Sequence, residues 1–193
     1  MTARRNSRKE AVVQAAMSLV AGRGADGTSV RMITARAGVT EAALYRHFLS
    51  KDDLILSIYR RIVDEMAAAK ERIAAQAGPL ADKLLEWIRV SYEHFDRSPE
   101  AFTFVLLTTH NFADEHREIT GRQGRIFTGM ISQATAAGEL EPMDPELAMG
   151  HFSGVLLSVP QLINAGTLRG PASRYLDEVH RAVCRIFELP RRG

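Results

Sequence analysis

The chain has 193 residues, 46% apolar and 25% charged, with a formal net charge of +2. That length suits one domain, or a small domain joined to a larger one, and it can bury a sizeable core. One cysteine, Cys184, excludes an intrachain disulfide and a thiolate metal site, and no run of about 18 apolar residues is present to form a transmembrane helix. The N-terminus "MTARRNSRKE" is basic but is not followed by an apolar signal region, so we expect a cytoplasmic protein with no membrane partner.

The small net charge hides an asymmetry. Residues 1–51 carry nine Lys/Arg and three Asp/Glu, a formal +6, which leaves −4 on residues 52–193. A basic head on an acidic body points to a polyanionic partner for the head.

Apolar residues recur at three- and four-residue spacing and strand signals are nearly absent, so the expected fold class is all-α. The first helix is expected from Ser7, where Ser7-x-x-Glu10 fits a capping box, to Arg23–Gly24. Ser29 suits the N-cap of a short second helix, Val30 to Ala37, and Gly38 suits its left-handed stop. Thr40 caps a third, Glu41 to Phe48, and Ser50 a long fourth from Lys51 to about Ala75. Beyond Gly78-Pro79, helices are expected over 80–97, 100–110, about 114–137, 144–166 and 172–189. No internal repeat or low-complexity segment is present.

The first three helices, with "AGV" as the bend between the second and third, read as a helix-turn-helix. At about 100° per residue, Leu44 and Phe48 share one side of the third helix, facing Ile33, Val39, Leu19 and Ala16. Ala42, Ala43 and Arg46 fall on the other side. Two alanines allow close approach to base edges and can meet a thymine methyl, and Arg46 can donate two hydrogen bonds to guanine. Ser29 and Thr40, at helix N-termini, suit phosphates, as do Tyr45, His47 and Lys51. Taken singly, each of these is an ordinary surface residue. Their joint spacing carries the inference.

Residues 8–54, "RKEAVVQAAMSLVAGRGADGTSVRMITARAGVTEAALYRHFLSKDDL", resemble the DNA-binding head of the tetracycline-repressor (TetR) family. That pattern is an apolar first helix, then G-x-x-x-T-S (Gly24 to Ser29), I-A-x-x-A-G-V-S (Ile33 to Thr40) and L-Y-x-H-F-x-S-K-x-x-L (Leu44 to Leu54). Thr34 stands where alanine is usual, and Ala42-Ala43 where Gly-Thr or a similar pair is common. The second departure changes which bases can be read.

The resemblance implies an all-helical protein with a DNA-binding head (residues 1–51) and a body for ligand binding and dimerisation (52–193). It implies a regulator, in the usual case a repressor, that binds a near-palindromic operator as a homodimer and leaves it when a small molecule binds. Family members dimerise through their last two helices. Gly150, Gly154, Leu157 and Gln161 in the eighth helix, with Tyr175, Val179 and Val183 in the ninth, are the corresponding candidates here. Trp87, Phe95, Phe102, Thr108, Phe127, Met130 and His151 are candidates for a pocket holding a largely apolar ligand.

Two other function classes remain in view. One is a DNA-binding architectural or division-linked factor with no small effector. The other is an enzyme, but no HExxH, Cys/His metal spacing, GxSxG or phosphate-binding glycine loop occurs. We therefore expect no catalytic residues, metal or cofactor.

Overall fold

The computed structural model describes residues 2–107 and 115–189, with side chains over 7–107 and 121–189. The elements are α1 (Thr2–Arg23), α2 (Val30–Ala37), α3 (Glu41–Tyr45), α4 (Lys51–Ala75), α5 (Leu80–Arg97) and α6 (Pro99–Phe102), which runs into a π-helical segment (Thr103–Leu107). Then come α7 (Glu115–Ala136), α8 (Pro145–Asn164), a 3-10 turn (Ala172–Tyr175) and α9 (Leu176–Ile186). The fold is all-α: no strand occurs among the described residues, and no helix among them is long and apolar enough to cross a membrane.

Three of the departures from the expected boundaries have local reasons. α1 begins at Thr2, so Ser7 and Glu10 lie inside the helix. There the Glu10 carboxylate accepts from Gln14 Nε2 at 3.2 Å and pairs with Arg61 at 3.5 Å instead of capping. α3 ends at Tyr45, because His47 N–H donates to Leu44 O and the last turn tightens. The chain then enters α4, where Asp53 N–H donates to Ser50 Oγ and Leu49 N–H to Asp53 Oδ2. The expected sixth helix, 100–110, is a four-residue α-helix followed by the π-helical segment; residues 108–110 lie outside the described residues.

Contacts group residues 2–63 with 100–107, and residues 64–99 with 115–189. The basic motif therefore sits in a unit that also includes the first half of α4 and the π-helical segment, which packs on α1.

In the second unit α5 is central, touching α7, α8, α9 and the 3-10 turn. Its buried residues Leu80, Leu84, Trp87, Ile88, Tyr92 and Phe95 recur at helical spacing. Polar struts fix the neighbours. Tyr92 OH donates to Leu156 O at 3.0 Å, and the Asp96 carboxylate accepts from Ala172 and Ser173 N–H.

Candidate functional site

In the first unit, Ser29 Oγ accepts from Met32 N–H at 3.3 Å and Thr40 Oγ1 from Ala43 N–H at 3.2 Å. A hydroxyl that accepts as an N-cap keeps its own proton, so both exposed caps can still donate to a phosphate. Gly38 takes φ 65° and ψ 35°, and Val39 N–H closes back on Thr34 O. That left-handed residue turns the chain sharply from α2 into α3. The extra hydroxyl of Thr34 is buried and satisfied, donating to Val30 O at 3.0 Å.

Behind α3, Leu44 and Phe48 are buried with Ile33, Ala16 and Leu19, and the two α3-side residues Leu44 and Phe48 contribute about 1.5–3 kcal/mol of burial apiece. In front, Ala42, Tyr45 and Arg46 are exposed and Ala43 and His47 partly so. Arg46 is the C-cap of α3, one residue past the helix. The face is smooth at Ala42 and Ala43, with one long cation at its C-terminal edge. Leu49, in the turn after it, is almost fully exposed.

Lys51 has a role that spacing did not disclose. Its Nζ donates to Ala25 O at 2.9 Å and Thr28 O at 3.1 Å, tying the α1–α2 turn to the start of α4. Two of its three N–H groups are engaged, which leaves one for a phosphate.

The aromatic candidates of the body fare differently. Trp87, Phe127 and Phe152 pack on one another: Trp87 meets Phe127 edge-on at 5.7 Å and Phe152 at 6.1 Å, and the two phenylalanines stack at 4.8 Å. With Phe95 and Met130 these are buried core, and Phe102 is buried in the first unit. His151 is exposed; it sits about 100° round α8 from the buried Phe152 and so turns away from that cluster. Thr108 lies outside the described residues.

One cavity of the body lies elsewhere, between α4 and α5. It measures about 270 Å³ and is lined by Glu65, Met66, Ala69, Lys70, Arg72, Val90, Ser91, Glu93, His94 and Arg97. Lys70 is 2% exposed. Its Nζ donates to Gln123 Oε1 at 2.5 Å and lies 4.9 Å above the Trp87 ring. Burial lowers this ammonium to about 7. His94 is likewise held below its usual value, by burial first and then by the charges of Arg97 and Lys70, with Glu65 opposing. A sequence signal for this site existed. Val63, Met66, Lys70 and Ile73 recur at helical spacing and are all buried, so the lysine interrupts an apolar stripe.

The proposed partner face also needs correction. Val179 and Val183 are buried within the chain, so their side chains are not exposed to lead an interface with a second copy. Tyr175 is partly exposed, and its OH donates to Arg169 O at 3.0 Å. Gly150, Gly154 and Gln161 are exposed on α8 and Leu157 partly so; a Cβ on either glycine would meet nothing within 4 Å. Three large apolar side chains of α8 and α9 are also exposed: Leu147 (55%), Leu162 (40%) and Ile186 (43%).

Residues 12–58 match the family described as bacterial regulatory proteins, tetR family. The uncharacterized HTH-type transcriptional regulator YerO of Bacillus subtilis is 30% identical over 118 residues, 59% of this chain but only 39% of that protein. The HTH-type transcriptional repressor KstR2 of Mycolicibacterium smegmatis is 24% identical over 144 residues, 70% of this chain and 69% of its own length. Among solved structures, the transcriptional regulator FadR of Bacillus subtilis in complex with stearoyl-CoA superposes with a TM-score of 0.77. It covers 90% of this chain and 96% of that one at 17% identity, a likeness of fold.

Proposed function

We propose that this chain, which belongs to the tetR family of bacterial regulatory proteins, is a dimeric transcriptional regulator that holds a near-palindromic DNA site through α2 and α3 and releases it when a small molecule binds its body. The observation that carries the reading is the outer side of α3. Ala42, Ala43 and Arg46 are presented there by a helix whose opposite side, Leu44 with Phe48 just beyond it, is anchored in the head. Small residues let the backbone approach base edges, and Arg46 reads guanine. Ser29, Thr40, Tyr45, His47 and the spare N–H of Lys51 take phosphates, which set register without reading sequence.

Two such heads in a twofold dimer would enter successive major grooves, about 34–36 Å apart. The partner surface is assigned to Gly150, Gly154, Leu157 and Gln161 with Leu147, Leu162 and Ile186. The exposed glycines allow close helix approach, and the exposed apolar side chains need cover. KstR2, a named repressor, supports repression as the mode of action, and the stearoyl-CoA complex of FadR supports a small-molecule effector. α4 contributes residues to both units, which makes it the natural carrier of the signal.

The test is selection of bound sites from random DNA, followed by a ligand screen on the winning site. A palindromic consensus bound by a dimer, released by at least one small molecule, is the expected result. A consensus without twofold symmetry, or a site that no ligand releases, would count against the reading.

A further inference from the structure

The cavity between α4 and α5 contains one charge that its surroundings do not neutralise. Its rim charges, Arg72 and Arg97 against Glu65 and Glu93, are all exposed and offset one another. Lys70 and Ser91, both buried, also line it. Ser91 Oγ donates to Trp87 O at 2.8 Å, so its proton is engaged. Among the described residues, Lys70 has no carboxylate within 4.0 Å; its partners are a neutral amide, Gln123, and the face of Trp87. A buried ammonium facing only neutral groups is costly. His94, beside it, feels the same positive surroundings. The remaining lining, Met66, Ala69 and Val90, is apolar. By the ~30 Å³ that a water occupies, the space takes about nine water-sized groups.

We propose that this cavity binds the carboxylate end of the effector, with the Lys70 ammonium as its anchor and Met66, Ala69 and Val90 receiving a short apolar neck. The inference names the chemistry of one end of the effector and so rests on the effector reading above. The bland alternative is that Lys70 only braces α4 against α7 through Gln123. Bracing gives no reason for the protein to tell an acid from its amide.

The experiment is calorimetric titration of the full chain, without DNA, with hexanoate, hexanamide and hexylamine. Hexanoate should bind roughly tenfold more tightly than hexanamide, the margin between a charge-assisted and a neutral hydrogen bond, and hexylamine should not bind. In Lys70→Met the acid-to-amide ratio should fall to about one. Lys70→Gln keeps an amide partner for Gln123 without the charge and should lose the preference equally. The wild-type ratio decides on its own should both variants fail to fold.

Equal binding of acid and amide, no binding of hexanoate in the millimolar range, or a preference that survives in a folded Lys70 variant overturns the proposal. The two readings separate cleanly. Hexanoate that binds with this pattern, while no ligand of the screen releases the selected DNA site, preserves the cavity and removes the effector reading. A neutral ligand that releases DNA while hexanoate fails to bind does the reverse.

Discussion

Lys70 makes a prediction about stability that needs no ligand. Its ammonium is lowered from 10.5 to about 7 by burial. In the unfolded chain it keeps its proton up to the ordinary lysine range. Between about pH 7 and 10.5 the unfolded state therefore binds more protons, and unfolding free energy must rise with pH, by up to about 1.4 kcal/mol per unit. Below pH 7 both states are protonated and the full penalty of burying the charge is present. Integrated from pH 7 to pH 9, the gain is roughly 2 kcal/mol. The upper end of the window is closed by tyrosines acting in the opposite sense. Burial pushes Tyr59 up to about 12 and raises Tyr92 as well, so above pH 10 the folded state holds protons that the unfolded chain has lost, and stability falls. Trp87 is the only tryptophan, is buried, and lies directly beneath Nζ, so its emission reports the unit that contains Lys70. Urea unfolding followed by Trp87 emission, at fixed protein concentration, should give a midpoint about 1 M higher at pH 9 than at pH 7 for a slope near 2 kcal/mol/M. In Lys70→Met that rise should vanish. A flat wild-type curve over this window, or an equal rise in the variant, refutes the assignment of a destabilising buried ammonium.

Three further outcomes follow from the head and the partner face. Arg46→Ala should relax base preference at one position per half-site by about 1–3 kcal/mol while leaving binding to scrambled DNA nearly intact, as read by site selection and competition binding. Lys51→Met should do two things at once. It should lower the thermal midpoint of the head, because two hydrogen bonds from a charged donor to Ala25 and Thr28 are lost. It should also reduce the salt slope of DNA binding by about one unit at most, measured by anisotropy titration over salt concentration. Leu162→Asp with Ile186→Asp should shift the protein from dimer to monomer in sedimentation equilibrium and weaken operator binding, whereas Val183→Ala should lower stability, by about 0.5–1.5 kcal/mol or more, without a comparable change in association.

The head was legible because its constraints are local. Ser29, Gly38 and Thr40 are cap positions, and a cap is decided by a residue and its neighbours three or four along the chain. Leu44 and Phe48 were placed inward by angle alone, and both are buried. What escaped was non-local or conformational. Lys51 and Thr28 are 23 residues apart, so no spacing rule links Nζ to those carbonyls. The early end of α3 depends on Asp53 and Ser50 drawing the chain into the next helix.

The body was less legible because two apolar stripes on one helix read alike. On α9, Val179 and Val183 form one stripe and Ala182 and Ile186 the other; both have helical spacing. Which stripe turns inward is set by α5, on which α9 packs, and by the bond between His180 Nε2 and Ala81 O at 2.9 Å. Aromatic residues mislead in the same way. Trp87, Phe127 and Phe152 are large enough to suggest a pocket wall, yet they pack on one another edge to face and face to face. The informative residue was the one that broke the pattern. Along α4 the buried positions Ile55, Tyr59, Ile62, Met66, Lys70 and Ile73 follow one helical stripe, and five of the six explain themselves as core. A lysine in that series costs stability in the protein alone, and the cavity that Lys70 helps to line is where we place the ligand that would account for it.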